Sequence, residues 1–553
     1  MIKLKKSLSA VVILIALLIS FSSFSSHFEL AKHLEIFISV FKKLNQEYVD
    51  EIDSGELMRE GIDAMLNSLD PYTVYYSESE IEDYKASISG EYGGIGSMIR
   101  TDSDYVIITE PYEDSPAAMA GLKAGDKILS VDGKSTKGKS AGDLSKLLKG
   151  TPGTDVVVQI ERPYEGEQTL TIKRSKIKLK SVPHYDMVGD GYAYIKLNRF
   201  TTACSKEVIN AYRDLEKEND IKAVILDLRG NPGGLLREAI NVSNVFVKKG
   251  QLITYTQGRE EDSRKVYNTL NNAVNDSCKL VVLINGNSAS ASEIVSGTMQ
   301  DLDRGLVLGQ RSYGKGLVQT TKPIAYNSQI KLTTAKYYIP SGRCIQELDY
   351  SQKDEKGKAI KMADSARTEF KTVSGRIVSD GSGIHPDLQA KDSSFAIISR
   401  TLSRKNLIFD FVTKFVSEHD SIAPAKDFKV TDNDFKNFKT FIANKDYSYK
   451  TETERKLEEF ETKTKKESYY NALAVELNQL HEKLSADKEK DLDKYQKEIK
   501  HLIRREILTR YYFQRGKIIA SFERDNYLTS AIQLLNDTAS YEALFKVEKV
   551  GNE

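Results

Sequence analysis

The chain contains little of several residue types, and each shortage excludes a class of protein. Its 553 residues include three cysteines, Cys204, Cys278 and Cys344, which are too few and too far apart for a disulfide framework or a metal knuckle. With 34 glycines and 11 prolines, the chain is neither fibrous nor wholly disordered. The 80 basic and 79 acidic residues exclude an overall basic nucleic-acid binder. A mean hydropathy of −0.43 argues against a polytopic membrane protein.

The N terminus carries an apolar run. Lys3, Lys5 and Lys6 precede the largely apolar stretch Leu8–Phe21, and small residues follow it. This order predicts a secretory signal over residues 1–26. The alternative is an uncleaved N-terminal anchor whose lysines stay in the cytoplasm. Either interpretation exports the remainder of the chain.

Changes in residue pattern divide the rest of the chain into four regions. Residues 27–90 repeat apolar residues at helical spacing. Residues 91–178 contain short β runs separated by turns. Residues 179–392 alternate strand-like and helical stretches, which is the pattern of an α/β domain. Residues 393–553 are densely charged and are predicted to be mostly helical.

The β-rich region combines a glycine-marked loop, Gly94, Ile95 and Gly96, with the run Ala120–Val131. Glycines let successive backbone N–H groups turn inward, and such a nest can hold a terminal carboxylate. The alternative is that these glycines only form a tight turn. The run Ala-Gly-Leu-x-x-Gly-Asp-x-Ile-Leu-x-Val resembles that of a PDZ domain. The resemblance implies that a peptide adds as an extra strand and that the loop binds its C-terminal carboxylate.

Three motifs in the α/β region lie at the ends of predicted strands, or soon after them, where open α/β folds place their sites. The first is Asp227–Gly234, at the end of the predicted strand Ala223–Leu228. The second is Asn287–Glu293, which follows the predicted strand Leu280–Asn285 and contains three serines. The third is Tyr313–Gln319, in which a lysine stands between two glycines.

A helix is predicted to begin near Ser290, which places a serine at the positive end of a helix dipole. The N–H of Ala291 then has no intrahelical partner and can face a developing oxyanion. The alternative is that Ser288, Ser290 or Ser292 merely caps the helix, which is the commonest role of serine there.

A serine nucleophile needs a base, and the residues alone leave two kinds open. Of the seven histidines, His184 and His385 lie outside helical, charged or terminal stretches. A lysine can serve instead if burial lowers its pKa from about 10.4 toward neutrality. Lys315 could approach a backbone closely because glycines flank it. Its alternative role is that of a solvated loop lysine.

Together the three motifs resemble those of the carboxy-terminal processing peptidases, also called tail-specific proteases. The resemblance covers roughly residues 30–392 and implies an exported serine endopeptidase of the bacterial periplasm or the outer face of the inner membrane. The implied fold is an α/β catalytic core of the crotonase/ClpP-like β-α superhelical type. It carries an inserted PDZ β-sandwich-like domain, an N-terminal helical segment and a C-terminal α-helical region.

The resemblance also assigns roles to individual residues. Ser290 is the nucleophile and Lys315 the general base, and Gln319 helps to hold the lysine. Glu293 falls three residues after Ser290, so a helix places both on one face. Glu293 either orients the site or only stabilises the fold.

The resemblance places the oxyanion hole between two backbone segments. One donor is the N–H of Ala291, and the other is a glycine of the first motif. That glycine is Gly233, with Gly234 as the alternative, because Asn231-Pro232 precedes the pair and makes the choice less direct.

No phosphate-binding or metal site is predicted. Gly309–Gly316 imitates a phosphate-binding loop, but Gly316 stands where that motif needs serine or threonine, and Leu317–Thr321 looks extended. His481 begins like a zinc-binding helix, but Ser485 occupies the position of the second histidine. The expected chemistry therefore uses neither a metal nor a cofactor.

The expected partners are proteins or peptides with free C-termini. In the tract 446–505, lysine and glutamate interleave with leucine and tyrosine, which is typical of a solvated helical face. A homodimer arm and an adaptor-docking surface are the alternatives, whereas the balanced charges disfavour nucleic acid. Membrane contact is expected only through an uncleaved anchor. The alternative function is a PDZ-bearing scaffold or regulator with an inactive peptidase domain.

Overall fold

The computed structural model describes residues 28–392, 394–467 and 469–546. The predicted export signal, residues 1–26, lies outside the described residues. Within the described ranges, none of the helices combines the length and the apolar character that a membrane crossing requires. The chain divides into two compact units. One consists of the residues up to Tyr76 with Thr321–Leu332, and the other of Ser77–Thr320 with the residues from Thr333 onwards.

The smaller unit is mainly helical, as its apolar spacing predicts. Residues 28–47 are helical (α1), and Ser54–Asn67 forms α2. Asp53 caps α2 by accepting hydrogen bonds from two backbone N–H groups of its first turn. Strand β1, Val74–Tyr76, pairs antiparallel with residues 329–331.

The larger unit opens with helix α3, Ile81–Ser89, and the predicted β-rich module. The module's elements are β2 (Glu91–Gly94), β3 (Ser97–Asp102), β4 (Tyr105–Pro111), α4 (Pro116–Met119), β5 (Lys127–Val131), β6 (Lys134–Ser135), α5 (Ala141–Leu148), β7 (Asp155–Arg162), β8 (Gly166–Lys173) and β9 (Ser175–Lys178). The main sheet is antiparallel in the order β3-β4-β5-β7-β8, and β2 pairs with β9. Alternate residues of β7, Val156, Val158 and Ile160, are buried in the module's own core.

The predicted α/β pattern of the catalytic region is confirmed. Its elements are β10 (His184–Val188), β11 (Tyr192–Lys196), α6 (Cys204–Glu216), β12 (Ala223–Asp227), α7 (Leu236–Phe246), β13 (Leu252–Gly258), β14 (Lys265–Asn268), β15 (Lys279–Ile284), α8 (Ala291–Asp301), β16 (Leu306–Gly309), β17 (Leu317–Pro323), β18 (Gln329–Tyr338), β19 (Leu348–Lys353), β20 (Ala359–Lys361), β21 (Glu369–Lys371), β22 (Ile377–Ser379) and β23 (Leu388–Gln389). One sheet has the order β10-β11-β12-β15-β16-β23. Its strands are parallel except for β10.

This parallel sheet places the first two motifs at one edge. Parallel strands end at the same edge of a sheet, so the loops after β12 and β15 become neighbours. Helices α6, α7 and α8 contribute to the core on one face, which explains why the central strands are apolar on both sides. Near the third motif, β17 pairs with β18, and β18 pairs antiparallel with β13 through residues 335–338.

The C-terminal region is helical, as its composition predicts. Its helices are α9 (Ile397–Arg404), α10 (Leu407–Glu418), α11 (Asp432–Ile442), α12 (Glu452–Lys466), α13 (Tyr470–Lys488), α14 (Asp491–Lys494), α15 (Gln496–Ser521), α16 (Asn526–Asn536) and α17 (Thr538–Ala543). Helices α10, α11 and α15 build a separate core. Tyr527, Leu528 and Ala531 of α16 pack instead on the second face of the parallel sheet, against residues such as Tyr194 and Val281. This region therefore completes the peptidase core.

Candidate active site

Ser290 stands at the start of α8, as the sequence predicts. Its backbone has φ of 55° and ψ of −113°, a region that costs a non-glycine residue about 1–3 kcal/mol. The next residue, Ala291, begins the helix, and no described residue accepts a hydrogen bond from its N–H. A strained serine followed by an open N–H is an arrangement suited to a nucleophile and its oxyanion.

The other two serines of the motif have structural roles. Ser288 is fully buried, and its Oγ donates to the carbonyl oxygen of Leu228 at 2.9 Å. Ser292 is also fully buried, and its Oγ donates to the carbonyl oxygen of Asn231 at 2.9 Å. Ser290 alone of the three is partly exposed.

Glu293 joins the serine motif to the lysine motif. Its Oε2 accepts hydrogen bonds from the N–H groups of Ser290 at 2.7 Å and Lys315 at 2.9 Å. Its Oε1 accepts from the Ser312 hydroxyl and the Gly314 N–H, both at 2.6 Å. Burial raises the pKa of Glu293 to about 7, although these four hydrogen bonds act in the opposite direction. One buried carboxylate thus positions the backbones of both motifs.

Tyr337 makes a second connection between the same two motifs. Its hydroxyl donates to the carbonyl oxygen of Lys315 at 2.7 Å and to that of Ser290 at 3.2 Å. Sequence reasoning identified neither Tyr337 nor Ser312. Ser312 directly precedes the third motif, which is a usable signal, whereas a tyrosine in the distant strand β18 carries none.

Lys315 is partly buried in the segment before β17. The following Gly316 donates its N–H to Oε1 of Gln346 at 2.7 Å, and a Cβ there would lie 2.8 Å from the backbone nitrogen of Gln346. Gln319 lies within β17, and its Nε2 donates to the Thr333 hydroxyl at 3.2 Å. The structure thus links the backbones of Ser290 and Lys315, while the recorded contact of the Gln319 side chain is with the neighbouring strand.

The glycine pair of the first motif lies beside the serine. A Cβ on Gly233 would come within 2.8 Å of Cβ of Ser290 and 3.0 Å of the Ala291 nitrogen, and its φ is +100°. The N–H of Gly233 donates to Oδ1 of the buried Asn231 at 2.9 Å. No described residue accepts a hydrogen bond from the N–H of Gly234. Gly233 is therefore adjacent to the predicted nucleophile, whereas the nearest atoms to Gly234 belong to Phe200.

A buried charge cluster fixes the first motif from behind. The guanidinium of Arg229 contacts the carboxylates of both Asp227 and Asp525, with closest distances of 2.6 Å. Nζ of Lys196 lies 3.1 Å from Oδ1 of Asp227. Burial by itself would raise the pKa of Asp227, but Arg229 and Lys196 lower it below the usual range. Asp525 also caps α16, so the C-terminal region participates in this support.

Of the three residues predicted to form the carboxylate-binding loop, Ile95 and Gly96 connect β2 to β3, whereas Gly94 ends β2 and pairs with Ser175 of β9. Gly96 has φ of +77°, and a Cβ there would lie 2.5 Å from Cβ of Ser115, so only glycine fits. The side chain of Ile95 is buried in the module's core. No described residue accepts a hydrogen bond from the N–H of Ile95 or Gly96. Adjacent N–H groups without an internal acceptor are what an anion-binding nest requires.

The two histidines that the sequence offers as alternative bases, His184 and His385, contact other residues. His184 is buried beside the rings of Tyr194 and Phe522, and burial lowers its pKa to about 4. Nε2 of His385 is hydrogen-bonded to the Ser382 hydroxyl at 2.9 Å, and burial lowers its pKa as well. Throughout the described ranges, His, Cys, Asp and Glu side chains form no cluster that could hold a metal ion.

Comparison with protein-family models gives three matches. The model of peptidase family S41 matches residues 191–352, and a PDZ domain model matches residues 107–162. The model of the C-terminal helical domain of PDZ-proteases matches residues 398–535.

Curated proteins give matches to named proteases. A carboxy-terminal-processing protease of Bartonella bacilliformis is 37% identical over 320 residues, 57% of this chain and 73% of that protein. A CtpA-like serine protease of Staphylococcus haemolyticus is 36% identical over 307 residues, 55% of this chain and 61% of that protein. The structure of a photosystem II D1 C-terminal processing protease is 25% identical with a TM-score of 0.34, covering 64% of this chain and 92% of that one.

These matches include the segments that carry all three motifs and the region downstream of the glycine-marked loop. The Bartonella relative is 37% identical, and the alignment spans 73% of its length. The chain therefore belongs to peptidase family S41 and is a C-terminal processing serine protease with a PDZ domain.

Proposed function

We propose that the chain cleaves peptide bonds with a Ser290–Lys315 dyad and selects substrates by their free C-termini. The observation that carries the proposal is the shared support of the two residues. The Glu293 carboxylate bonds to both of their N–H groups, and the Tyr337 hydroxyl bonds to both of their carbonyl oxygens. Two independent buried groups that align the same two backbones favour a joint role for serine and lysine.

The proposed reaction proceeds through an acyl-enzyme. Neutral Lys315 accepts the hydroxyl proton of Ser290, whose Oγ attacks the substrate carbonyl carbon. The N–H of Ala291 and an N–H of the Gly233–Gly234 pair stabilise the oxyanion. The protonated lysine then donates its proton to the departing amine. Water enters, gives a proton to Lys315 and attacks the ester, and the serine is regenerated.

Alanine substitutions test the dyad. Ser290→Ala and Lys315→Ala should each lower kcat by at least about a thousandfold, because nucleophile and base act as one unit. The substrate is a folded reporter with an apolar unstructured C-terminal extension, and cleavage is followed by gel and mass spectrometry. Ser292→Ala is an informative comparison, because Ser292 neighbours Ser290 but is fully buried. Undiminished cleavage by either dyad variant contradicts the assignment.

The PDZ domain is proposed to capture the terminal carboxylate on the N–H groups around Gly94, Ile95 and Gly96. A charged residue in place of Ile95 would disturb the module's core, so changing the ligand is the sharper test. A peptide with an amidated C-terminus should bind the Ser290→Ala variant about tenfold more weakly than the free acid, because charge-assisted hydrogen bonds are lost. Equal binding of the two peptides contradicts carboxylate capture.

Export is proposed from the sequence of the first 26 residues. A basic start followed by the apolar stretch Leu8–Phe21 supports either a cleaved signal or a retained anchor. Protease accessibility in spheroplasts tests export, and the N-terminal sequence of the mature protein separates the two alternatives. A homodimer or an adaptor contact through the C-terminal helices stays a prediction, to be tested by light scattering.

A further inference from the structure

A cavity of about 740 Å³ lies within the larger unit, between the PDZ domain, the peptidase core and helix α15. Met98 of β3 lines it two residues after the carboxylate-binding loop. Pro232 lines it directly before Gly233 of the proposed oxyanion hole. Phe513, Arg515 and Lys517 of α15 also line it. The cavity therefore extends from the proposed carboxylate site toward the proposed site of cleavage.

Helix α15 loses its helical geometry where it meets this cavity. Tyr512 has φ of −127° and ψ of 15°, and Phe513 has φ of 52° and ψ of −147°. A strained non-glycine residue persists only where its surroundings enforce it, and such residues concentrate at functional sites. Nε2 of Gln514 donates to both carboxylate oxygens of Glu110, at 2.7 and 2.6 Å, which attaches the kinked segment to strand β4 of the PDZ domain.

The cavity wall carries more positive than negative charge, with six basic and three acidic side chains. All three acids already have partners within the wall: Asp83 with Lys149 at 2.7 Å, Glu113 with Lys180 at 2.9 Å, and Glu110 with Gln514. Two of the three acids are thus paired with lysines, whereas Glu110 is bonded to the neutral amide of Gln514.

Three of the six basic side chains are not paired in this way. Arg199, Arg515 and Lys517 are all exposed and form no ion pair with any residue that the structure describes, although the positive charge of Lys517 opposes the rise in the pKa of Glu110 that burial causes. Two of the three belong to the strained segment of α15. Positive charges around a concave surface reinforce one another, because the protein wall limits screening by water. A ligand that brings carboxylates would supply the missing counter-charge.

We propose that the kinked segment Phe513–Lys517 forms a substrate-selecting wall, and that this cavity prefers peptide tails with acidic side chains. The proposal rests on the proposed function, since it concerns the path between the carboxylate site and the dyad. The terminal carboxylate is common to every free C-terminus, so selection among tails must use side chains. Arg515 and Lys517 are the positioning residues for those side chains.

Paired peptides test this selection. Two peptides share one cleavable segment and one free C-terminus, and their tails differ by two glutamates against two glutamines. Wild-type kcat/KM should be about tenfold higher for the glutamate tail, and the ratio should shrink as ionic strength rises. Arg515→Gln/Lys517→Gln should bring the ratio to about one, and Arg515→Glu/Lys517→Glu should invert it.

A matched control separates a local effect from net charge. Lys436→Glu/Lys483→Glu makes the same charge change at two exposed lysines of α11 and α13 that form no ion pair with described residues. This variant should keep the wild-type ratio. Fluorescence anisotropy with the Ser290→Ala protein should show the same preference in binding, independently of catalysis.

The outcomes distinguish this proposal from the proposed function. If the wild type cleaves both peptides equally, or if Arg515→Glu/Lys517→Glu retains the preference, the acidic-tail proposal is overturned while the dyad stands. A control variant that loses the preference overturns it too, because net charge would then account for the effect. If neither peptide is cleaved and neither binds the Ser290→Ala protein, the proposed function itself fails.

Discussion

Two equally buried carboxyl groups of the peptidase core have pKa values that are shifted in opposite directions. Glu293 is 0% exposed, and its hydrogen-bond partners are neutral N–H and hydroxyl groups, so burial raises its pKa to about 7. Asp227 is 1% exposed, but Arg229 and Lys196 lie against it and lower its pKa below the usual range. Burial is common to both residues, and the presence of a cation separates them.

The contrast matches the two tasks. Asp227 belongs to a cluster of two acidic and two basic residues, Asp227, Asp525, Arg229 and Lys196, whose ion pairs hold the first motif. Glu293 instead orients the Ser290 and Lys315 backbones through neutral N–H donors.

Removing the arginine that pairs with Asp227 should have the largest effect on stability. Arg229→Met leaves Asp227 with Lys196 alone and Asp525 without an ion-pair partner, which should lower the free energy of unfolding by about 3–5 kcal/mol. The thermal unfolding transition of the peptidase core measures this loss of stability. Lys222→Met is the control, because its pair with Asp190 is exposed and should contribute far less. Equal effects of the two variants would contradict the distinction.

The pH dependence of stability should reveal the raised pKa of Glu293. The folded-state pKa of Glu293 is raised from 4.5 to about 7, so its protonated form stabilises the fold below pH 4.5. That contribution is lost as the pH rises through 7. The stability of the wild type relative to Glu293→Gln should therefore fall by about 3 kcal/mol between pH 4.5 and 8. A flat difference across this range would show that Glu293 stays ionised.

The smallest effect is expected at the tyrosine that complements Glu293. Tyr337→Phe removes the hydroxyl donor to Lys315 and Ser290, which is worth about 1 kcal/mol, or about fivefold in kcat with KM little changed. Steady-state kinetics on a tailed peptide measure both constants. Tyr338→Phe removes a hydroxyl from the next residue of the same strand, where the ring stacks on Tyr255, and should leave kcat unchanged. Loss through KM alone would assign Tyr337 to substrate binding.

Much of the fold could be predicted, because its patterns are local. A short apolar run between turns places Lys127–Val131 as a strand, and the structure has the same bounds. Asp53 is recognisable as a helix cap from its own position in the chain. By contrast, the packing of α16 on the parallel sheet depends on residues more than two hundred positions apart, such as Tyr194 and Tyr527, and no local period records it.

In the candidate site, too, the sequence identifies some residues and leaves the roles of others unassigned. Ser290, Glu293 and Lys315 lie in motifs whose residue types signal chemistry, so the sequence identifies them as candidates. The roles of Ser288 and Ser292 could not be assigned from the sequence, because all three serines have the same local setting. Burial separated them, through the carbonyl oxygens of Leu228 and Asn231.

By itself, the sequence determined the order of the regions, the strands and helices around each motif, and the candidate residues for acyl transfer. Those features depend on neighbours within one turn or one strand. Only the tertiary structure decided that Tyr337 and Ser312 support the proposed dyad, and that Arg229 pairs with Asp525 as well as Asp227. It alone brought the strained segment of α15 to the cavity beside the PDZ domain. Hydrogen bonds and charges act through space, and a linear sequence does not record the distances on which they depend.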